Sequence, residues 1–224
     1  MAPPKKTVVL VDDHPIVALG LKTVLNETSD FSFVLSATHS EQALHEMERL
    51  KPDLLVLDLV LPGRGGLELI PELQRLSPLS KIVVYSSLPE LTYAPRALRA
   101  GARGFVGKES GLMCLVDALR RTSEGGTYAT ESVKQAILDN YGRGGSAQGK
   151  SGFSQLSNQE INVFRLIGAG LRLSEIAEKL GISPKTVGTH RERIKTKLSL
   201  RSGKELDQEA LRFVESSQAP TNIS

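Results

Sequence analysis

Cysteine is nearly missing from these 224 residues, and Cys114 stands alone. No internal disulfide can form. Because Cys114 falls in an apolar helical pattern, a buried structural thiol in a reducing compartment is expected. Tryptophan is absent. Long apolar runs are absent too, none approaching the roughly 20 residues that span a bilayer, so no membrane partner is expected. Residues 1–7 carry Pro and Lys, and the short apolar run behind them ends at once in Asp12 and Asp13. That is no secretory signal, and a cytoplasmic location is the expectation. A GxxxxGKS/T phosphate loop is also lacking, which disfavours nucleotide hydrolysis. What is present is a globular composition, 40% hydrophobic and 24% charged, long enough for one large domain or two ordinary ones.

The net charge of +3 is unevenly placed. Residues 1–140 hold 15 Lys and Arg against 17 Asp and Glu, whereas residues 141–224 hold 13 against 8. A mildly acidic front and a basic back point to two domains with different partners.

Leu54-Leu55-Val56-Leu57 shows no alternation, the pattern of a central parallel strand buried on both faces. Asp58 follows at its C-terminal end, where open α/β sheets place their ligand crevice, and Pro62-Gly63 stops the strand. One strand-end Asp is as readily a turn former, so the other strands decide. Thr7-Val8-Val9-Leu10-Val11 ends in Asp12 and Asp13, Ile82-Val83-Val84-Tyr85 closes on Ser86, and Gly104-Phe105-Val106-Gly107 closes on Lys108. Residues 31–37 are strand-like as well. Helical patterns lie between: 15–27 with Pro15 in its first turn, 40–50 capped by Ser40, and 66–76 with a late start or bend at Pro71. Two more cover part of 90–100 and residues 112–124. Five alternations of this kind predict an α/β doubly wound five-stranded parallel sheet.

In such a sheet the C-terminal strand ends meet along one edge. Three carboxylates, a hydroxyl and an ammonium therefore converge. Clustered carboxylates repel one another and are relieved by a hard divalent cation with oxygen ligands. A carboxylate beside that cation can attack phosphorus while metal and ammonium neutralise the phosphoryl oxygens.

Asp12-Asp13-His14-Pro15, Asp58 with Leu61-Pro62-Gly63, Ser86, and Ala100-Gly101-Ala102-Arg103-Gly104-Phe105 ending at Lys108 resemble the receiver domain of two-component response regulators, over about residues 6–125. The resemblance implies that Asp58 is the phosphoacceptor and a histidine kinase the donor. Asp12, Asp13 and Asp58 would hold Mg²⁺, and Lys108 would contact the phosphoryl group. Ser86 would be the switch hydroxyl, and Phe105 the aromatic that reorients with it, although a plain core aromatic fits Phe105 as well. Pro95 falls inside a receiver helix that is usually continuous.

Residues 126–155 read as one more helix, 132–141, and a flexible glycine- and serine-rich linker, 142–152. From Leu156 the pattern is helical. Ser157-Asn158-Gln159-Glu160 has capping-box form, a short helix covers 173–180 with Ser174 as a candidate cap, and Ser183-Pro184 opens a third. Residues 185–204 hold seven basic side chains against the single acid Glu192. A basic helix is usually a solvated face, but after a helix-turn pattern in a basic domain duplex DNA is the better reading. Lys185, Thr186, Thr189 and His190 lie where base edges or nearby phosphates are reached; Arg193, Lys195 and Lys197 would bind phosphates. Leu156 to Glu160, Glu175-Ile176-Ala177, Ser183 to Val187, His190, Lys197-Leu198 and Arg201-Ser202 resemble the LuxR-type output domain. Gly188 departs from the polar residue common there.

The whole chain thus resembles a NarL/FixJ-family regulator, with a receiver at 6–125 and a small all-α helix-turn-helix domain at 156–215. The resemblance implies a transcription factor, not an enzyme beyond its own phosphotransfer. Homodimerisation on phosphorylation or DNA binding is expected, with RNA polymerase as a further candidate partner. A competing reading, an aspartyl-phosphate hydrolase, typically needs a D-x-D pair that Asp58-Leu59-Val60 lacks. A regulator that binds DNA without using phosphate is opposed by the completeness of the acid pocket.

Overall fold

The computed structural model describes residues 4–62, 64–142 and 152–218. Gly63 and residues 143–151 of the expected linker lie outside the described residues. The chain divides into two compact units, Met1–Asp139 and Asn140–Ser224.

In the first unit β1 (Lys6–Val11), β2 (Phe31–Ala37), β3 (Leu54–Leu57), β4 (Lys81–Ser86) and β5 (Gly104–Gly107) form one parallel sheet in the order β2-β1-β3-β4-β5. The crossovers contain α1 (Pro15–Asn26), α2 (Ser40–Leu50), α3 (Gly66–Leu76) and α4 (Glu90–Ala100), and α5 (Gly111–Ser123) follows β5. β1 and β3 are central, and Val8 to Val11 and Leu54 to Leu57 are fully buried. Residues of alternate parity serve opposite faces. Val8, Leu10, Leu54 and Val56 pack with Leu21, Leu25, Leu115 and Leu119 of α1 and α5. Burying each such aliphatic side chain contributes about 1.5–3 kcal/mol. After β2 the chain returns past β1 to build the sheet in the other direction. The order therefore reverses between β1 and β3, and a ligand crevice forms at that switch point.

Several local expectations are corrected. Ser40 is the first helical residue of α2, and His39 is its N-cap. α3 starts at Gly66 and runs through Pro71, and α4 runs through Pro95 from Glu90 to Ala100. Tyr93, Ala94 and Ala97 are buried in the unit's core, and that packing outweighs the lost backbone hydrogen bond. Cys114 is half-buried rather than buried, with Sγ 2.9 Å from the Tyr128 hydroxyl. This contact and burial push the Tyr128 phenol up to about 12. Tyr128 also covers the free edge of β5: Phe105 N–H donates to its carbonyl at 3.1 Å and its own N–H donates to Arg103 O at 2.9 Å. α6 (Glu131–Gly142) follows, and Val133 is fully buried.

The second unit is helical: α7 (Asn158–Gly168), α8 (Leu173–Leu180), α9 (Pro184–Leu198) and α10 (Gly203–Gln218). Its core gathers Ile161, Phe164, Ile176, Val187, Ile194 and Leu206, all fully buried. Phe153, Phe164 and Phe213 pack as a cluster of mutually tilted rings with centroids 5.0–5.5 Å apart. A Cβ at Gly168 would lie 2.1 Å from Ala210 O, so only glycine lets α7 and α10 approach this closely. The capping box of α7 is present: Glu160 N–H donates to Ser157 Oγ and Ser157 N–H to Glu160 Oε2. Ser183 caps α9, whereas the N-cap position of α8 is Arg172 and not Ser174; no side chain caps it, and the Arg172 N–H donates to Glu175 Oε2 at 2.6 Å. The basic stretch is not one helix. Ser199 adopts a left-handed conformation (φ 56°) that ends α9, leaving Arg201 in the turn and Lys204 in α10.

Candidate functional site

Backbone pairing carries the sheet one residue past its strands at the switch point. Asp58 N–H donates to Val11 O at 2.8 Å, and Asp12 N–H to Ala37 O at 2.9 Å. Both carboxylates are thereby held at the sheet edge, almost wholly buried. Asp58 Oδ1 accepts from Ser86 Oγ at 2.7 Å and from Val60 N–H at 3.0 Å. Its Oδ2 accepts from Lys108 Nζ at 2.6 Å. The Lys108 ammonium also lies 2.8 Å from Asp12 Oδ2, an ion-pair distance without hydrogen-bond alignment. Burial lowers the Lys108 pKa, but Asp12 and Asp58 outweigh it and hold the group above its ordinary value, so the ammonium stays charged.

Four expected residues therefore meet at the edge: Asp12, Asp58, Ser86 and Lys108. Asp13 is partly exposed and joins them, its carboxylate within 4.8 Å of donor atoms of Asp12 and Asp58. Phe105 is fully buried in β5, one residue before Val106 on the path to Lys108. Two of the three carboxylates, Asp12 and Asp58, share one ammonium, and Asp12 Oδ2 is buried with no aligned hydrogen bond. That donor set suits a hard dication.

Two contributors had no assigned role. His14 Nδ1 lies 2.9 Å from Asp12 Oδ1 and 3.0 Å from Asp13 Oδ1. At Gly66, a Cβ would lie 2.2 Å from Asp58 O, so the first turn of α3 rests directly on the backbone of the central carboxylate. The Asp13-His14-Pro15 run signals the first only as a helix start, and nothing local signals the second.

In the second unit, Lys185, Thr186, Thr189 and Arg193 are exposed on α9. Lys185, Thr189 and Arg193 recur every four residues and so share one stripe. Neither Lys185 nor Arg193 has an acidic partner among the described residues. His190 is half-buried. The remaining two expected phosphate contacts are engaged within the unit. Lys195 lies 2.8 Å from Glu192, and Lys197 donates to buried Glu160 at 2.6 Å. Burial raises the Glu160 pKa, but Lys197 and the Ser157 amide outweigh it and hold the carboxyl below its usual range. A Cβ at Gly188 would meet nothing within 4 Å, so this residue leaves an open notch on α9.

Residues 8–120 match the response regulator receiver domain family, and residues 154–210 match the luxR family of bacterial regulatory proteins. The response regulator GacA of Pseudomonas aeruginosa is 35% identical over 206 residues, covering 92% of this chain and 95% of the relative. The oxygen regulatory protein NreC of Staphylococcus aureus is 32% identical, covering 92% and 96%. RcsB from Salmonella enterica serovar Typhimurium, solved bound to promoter rprA with the phosphomimetic BeF3⁻, is 26% identical. Its structure superposes with a TM-score of 0.68, covering 95% of this chain and 99% of that one. Matched in both halves and along nearly all its length, the chain belongs to the NarL/FixJ family of two-component response regulators, a receiver followed by a LuxR-type DNA-binding domain.

Proposed function

We propose that this regulator takes a phosphoryl group from a histidine kinase onto Asp58, with residues 6–125 as the receiving unit and residues 156–215 as the DNA-binding unit. One observation carries the reading: Asp58, Ser86, Lys108 and Asp12 form a single bonded cluster at the switch point. An Asp58 oxygen attacks phosphorus, and the bond to the donor imidazole breaks with its electron pair leaving on nitrogen. Asp12, Asp13 and Asp58 would hold Mg²⁺, which when bound neutralises charge on the phosphoryl oxygens. Lys108 and Ser86 already contact the Asp58 carboxylate and transfer those contacts to the phosphoryl oxygens. Phe105 follows Ser86 as the switch aromatic.

On the output side, α9 enters the major groove. Lys185, Thr186, Thr189 and His190 face the bases, and Arg193, Lys195 and Lys197 face the phosphates. Two copies bind adjacent half-sites about one helical turn apart, as a homodimer in the cytoplasm, and contact RNA polymerase from there.

The test is acetyl phosphate with Mg²⁺, followed by mass spectrometry and selection from random duplexes. Wild type should gain one phosphoryl group on Asp58 and enrich a two-half-site sequence. Asp58→Asn should gain none while keeping its fold, because an amide oxygen is a poor nucleophile of the same shape. Full incorporation in that variant would overturn the assignment.

A further inference from the structure

The last two residues of β4 reach opposite partners of one ion pair. Ser86 donates to Asp58 Oδ1 at 2.7 Å, and Tyr85, on the other face of the sheet, meets Lys108. The Lys108 ammonium stands over the Tyr85 ring, 6.0 Å from its centre, within reach of cation–π attraction. The Tyr85 hydroxyl donates to the Lys108 carbonyl at 3.4 Å, a long contact. Strand pairing brings this about. Tyr85 lies opposite Val106 and Ser86 opposite Gly107, so Lys108 is the next residue along the edge. An aromatic here is first of all core filling, and Tyr85 packs with Val83, Val106 and Leu115, only 4% exposed. Core filling needs no hydroxyl and no cation above the ring. Burial also holds the phenol above its ordinary pKa, so its proton stays available to the carbonyl. The carboxylates hold the ammonium only while Asp58 is free. Once a phosphoryl group arrives, the 2.6 Å contact with Asp58 Oδ2 is given up, and a flexible four-carbon stem is left to find the new oxygens. The aromatic face attracts the cation before and after that exchange.

We propose that Tyr85 is a positioning residue for phosphoryl transfer. Its ring confines the Lys108 ammonium and its hydroxyl steadies the Lys108 backbone, so that the lysine meets the phosphoryl oxygens as its carboxylate contact breaks. The proposal rests on Asp58 being the phosphoacceptor of the reading above. Tyr85 touches neither the phosphoryl group nor the cation, and acts through Lys108 alone.

The test follows phosphorylation of Asp58 in the full chain by acetyl phosphate in excess Mg²⁺, using mass spectrometry over time. Tyr85→Phe, Tyr85→Leu and a chain with pentafluorophenylalanine at position 85 are compared, each with Lys108 intact and in a Lys108→Ala background. The fluorinated ring keeps the packing but reverses the charge of its face, so it serves even where the Leu variant fails to fold. With Lys108 intact, Leu and the fluorinated ring should each slow phosphorylation about threefold to tenfold, whereas Phe should slow it no more than about twofold. In the Lys108→Ala background the same replacements should change the slower rate by less than about twofold, because the group they act through is gone. A merely structural role predicts the same fractional loss in both backgrounds. That result, or wild-type rates for the fluorinated ring, would overturn the role of Tyr85 and leave Asp58 as the phosphoacceptor. A wild-type chain that gains no phosphoryl group on Asp58 would overturn the pocket reading itself, and this proposal with it.

Discussion

The two units treat charge in opposite ways. In the receiver the informative polar groups, Asp13 excepted, are mostly buried and tied to one another: Lys108 to Asp58 and Asp12, and the Ser86 hydroxyl to Asp58. In the output unit the informative charges stand on an exposed helix stripe, and Lys185 and Arg193 have no acidic partner among the described residues. A buried cluster has a low local dielectric, so removing one member exposes the full cost of the rest. An exposed stripe is screened by water and salt, so each side chain adds a small, separable increment. The buried cluster therefore responds to a substitution as a unit, and the exposed stripe side chain by side chain.

Lys108→Ala gives the largest effect. It leaves two buried carboxylates facing each other, and should destabilise the ion-free chain by about 3 kcal/mol. Added Mg²⁺ should recover most of that loss, as read by urea unfolding with and without chelator. Identical midpoints for variant and wild type in chelator would show that the pocket is less sheltered than its geometry implies.

Glu160→Gln tests the place where the output unit breaks the pattern, since Glu160 is buried and paired with Lys197. A cost of about 1–3 kcal/mol is expected, seen as faster hydrogen exchange in α7 and α9. The sign with pH follows from the lowered carboxyl pKa. Stability from this pair is full above the unfolded value, near 4.3 for Glu, and is lost as pH falls through the lower folded value. The Gln variant should lose that acid slope in its second unit, and an unchanged slope would place the acid sensitivity elsewhere.

Arg193→Ala should weaken binding about equally on specific and random DNA and reduce the salt slope by roughly one. Lys197→Ala should reduce it by less, because its ammonium is shared with Glu160. Equal reductions would mean that DNA releases Lys197 from Glu160. Smallest is Gly188→Ala. This half-buried helical position has open space above it, and alanine should raise stability by about 0.5–1 kcal/mol. If DNA binding falls while stability rises, the notch is where the helix backbone meets the duplex.

Much of this was legible in the residues because it is local. Unbroken aliphatic runs mark doubly buried strands, and polar side chains placed just after them must share the sheet's C-terminal edge. Asp12, Asp13, Asp58, Ser86 and Lys108 followed from that rule, as the capping box at Ser157 and the cap at Ser183 followed from theirs. Local rules failed where burial overrode them. Pro71 and Pro95 sit inside continuous helices whose apolar faces are packed, and no glycine or proline announces the left-handed Ser199 that ends α9.

The sequence by itself determined two units, the element order of the first, and the strand ends that bear chemistry, because hydrophobic period and strand termination are written in neighbouring residues; it missed α10, whose start lies inside the basic run 185–204. Only the tertiary structure decided which distant groups touch. Lys197 meets Glu160 across 37 positions, Asp58 meets Lys108 across 50, Tyr128 covers the edge of β5, and α3 rests on Asp58 through Gly66. Even His14, two residues from Asp12, gained its place only when the start of α1 turned its ring toward the carboxylates. Such contacts depend on how helices and sheet pack together, and packing is a property of the folded chain that no short window of residues contains.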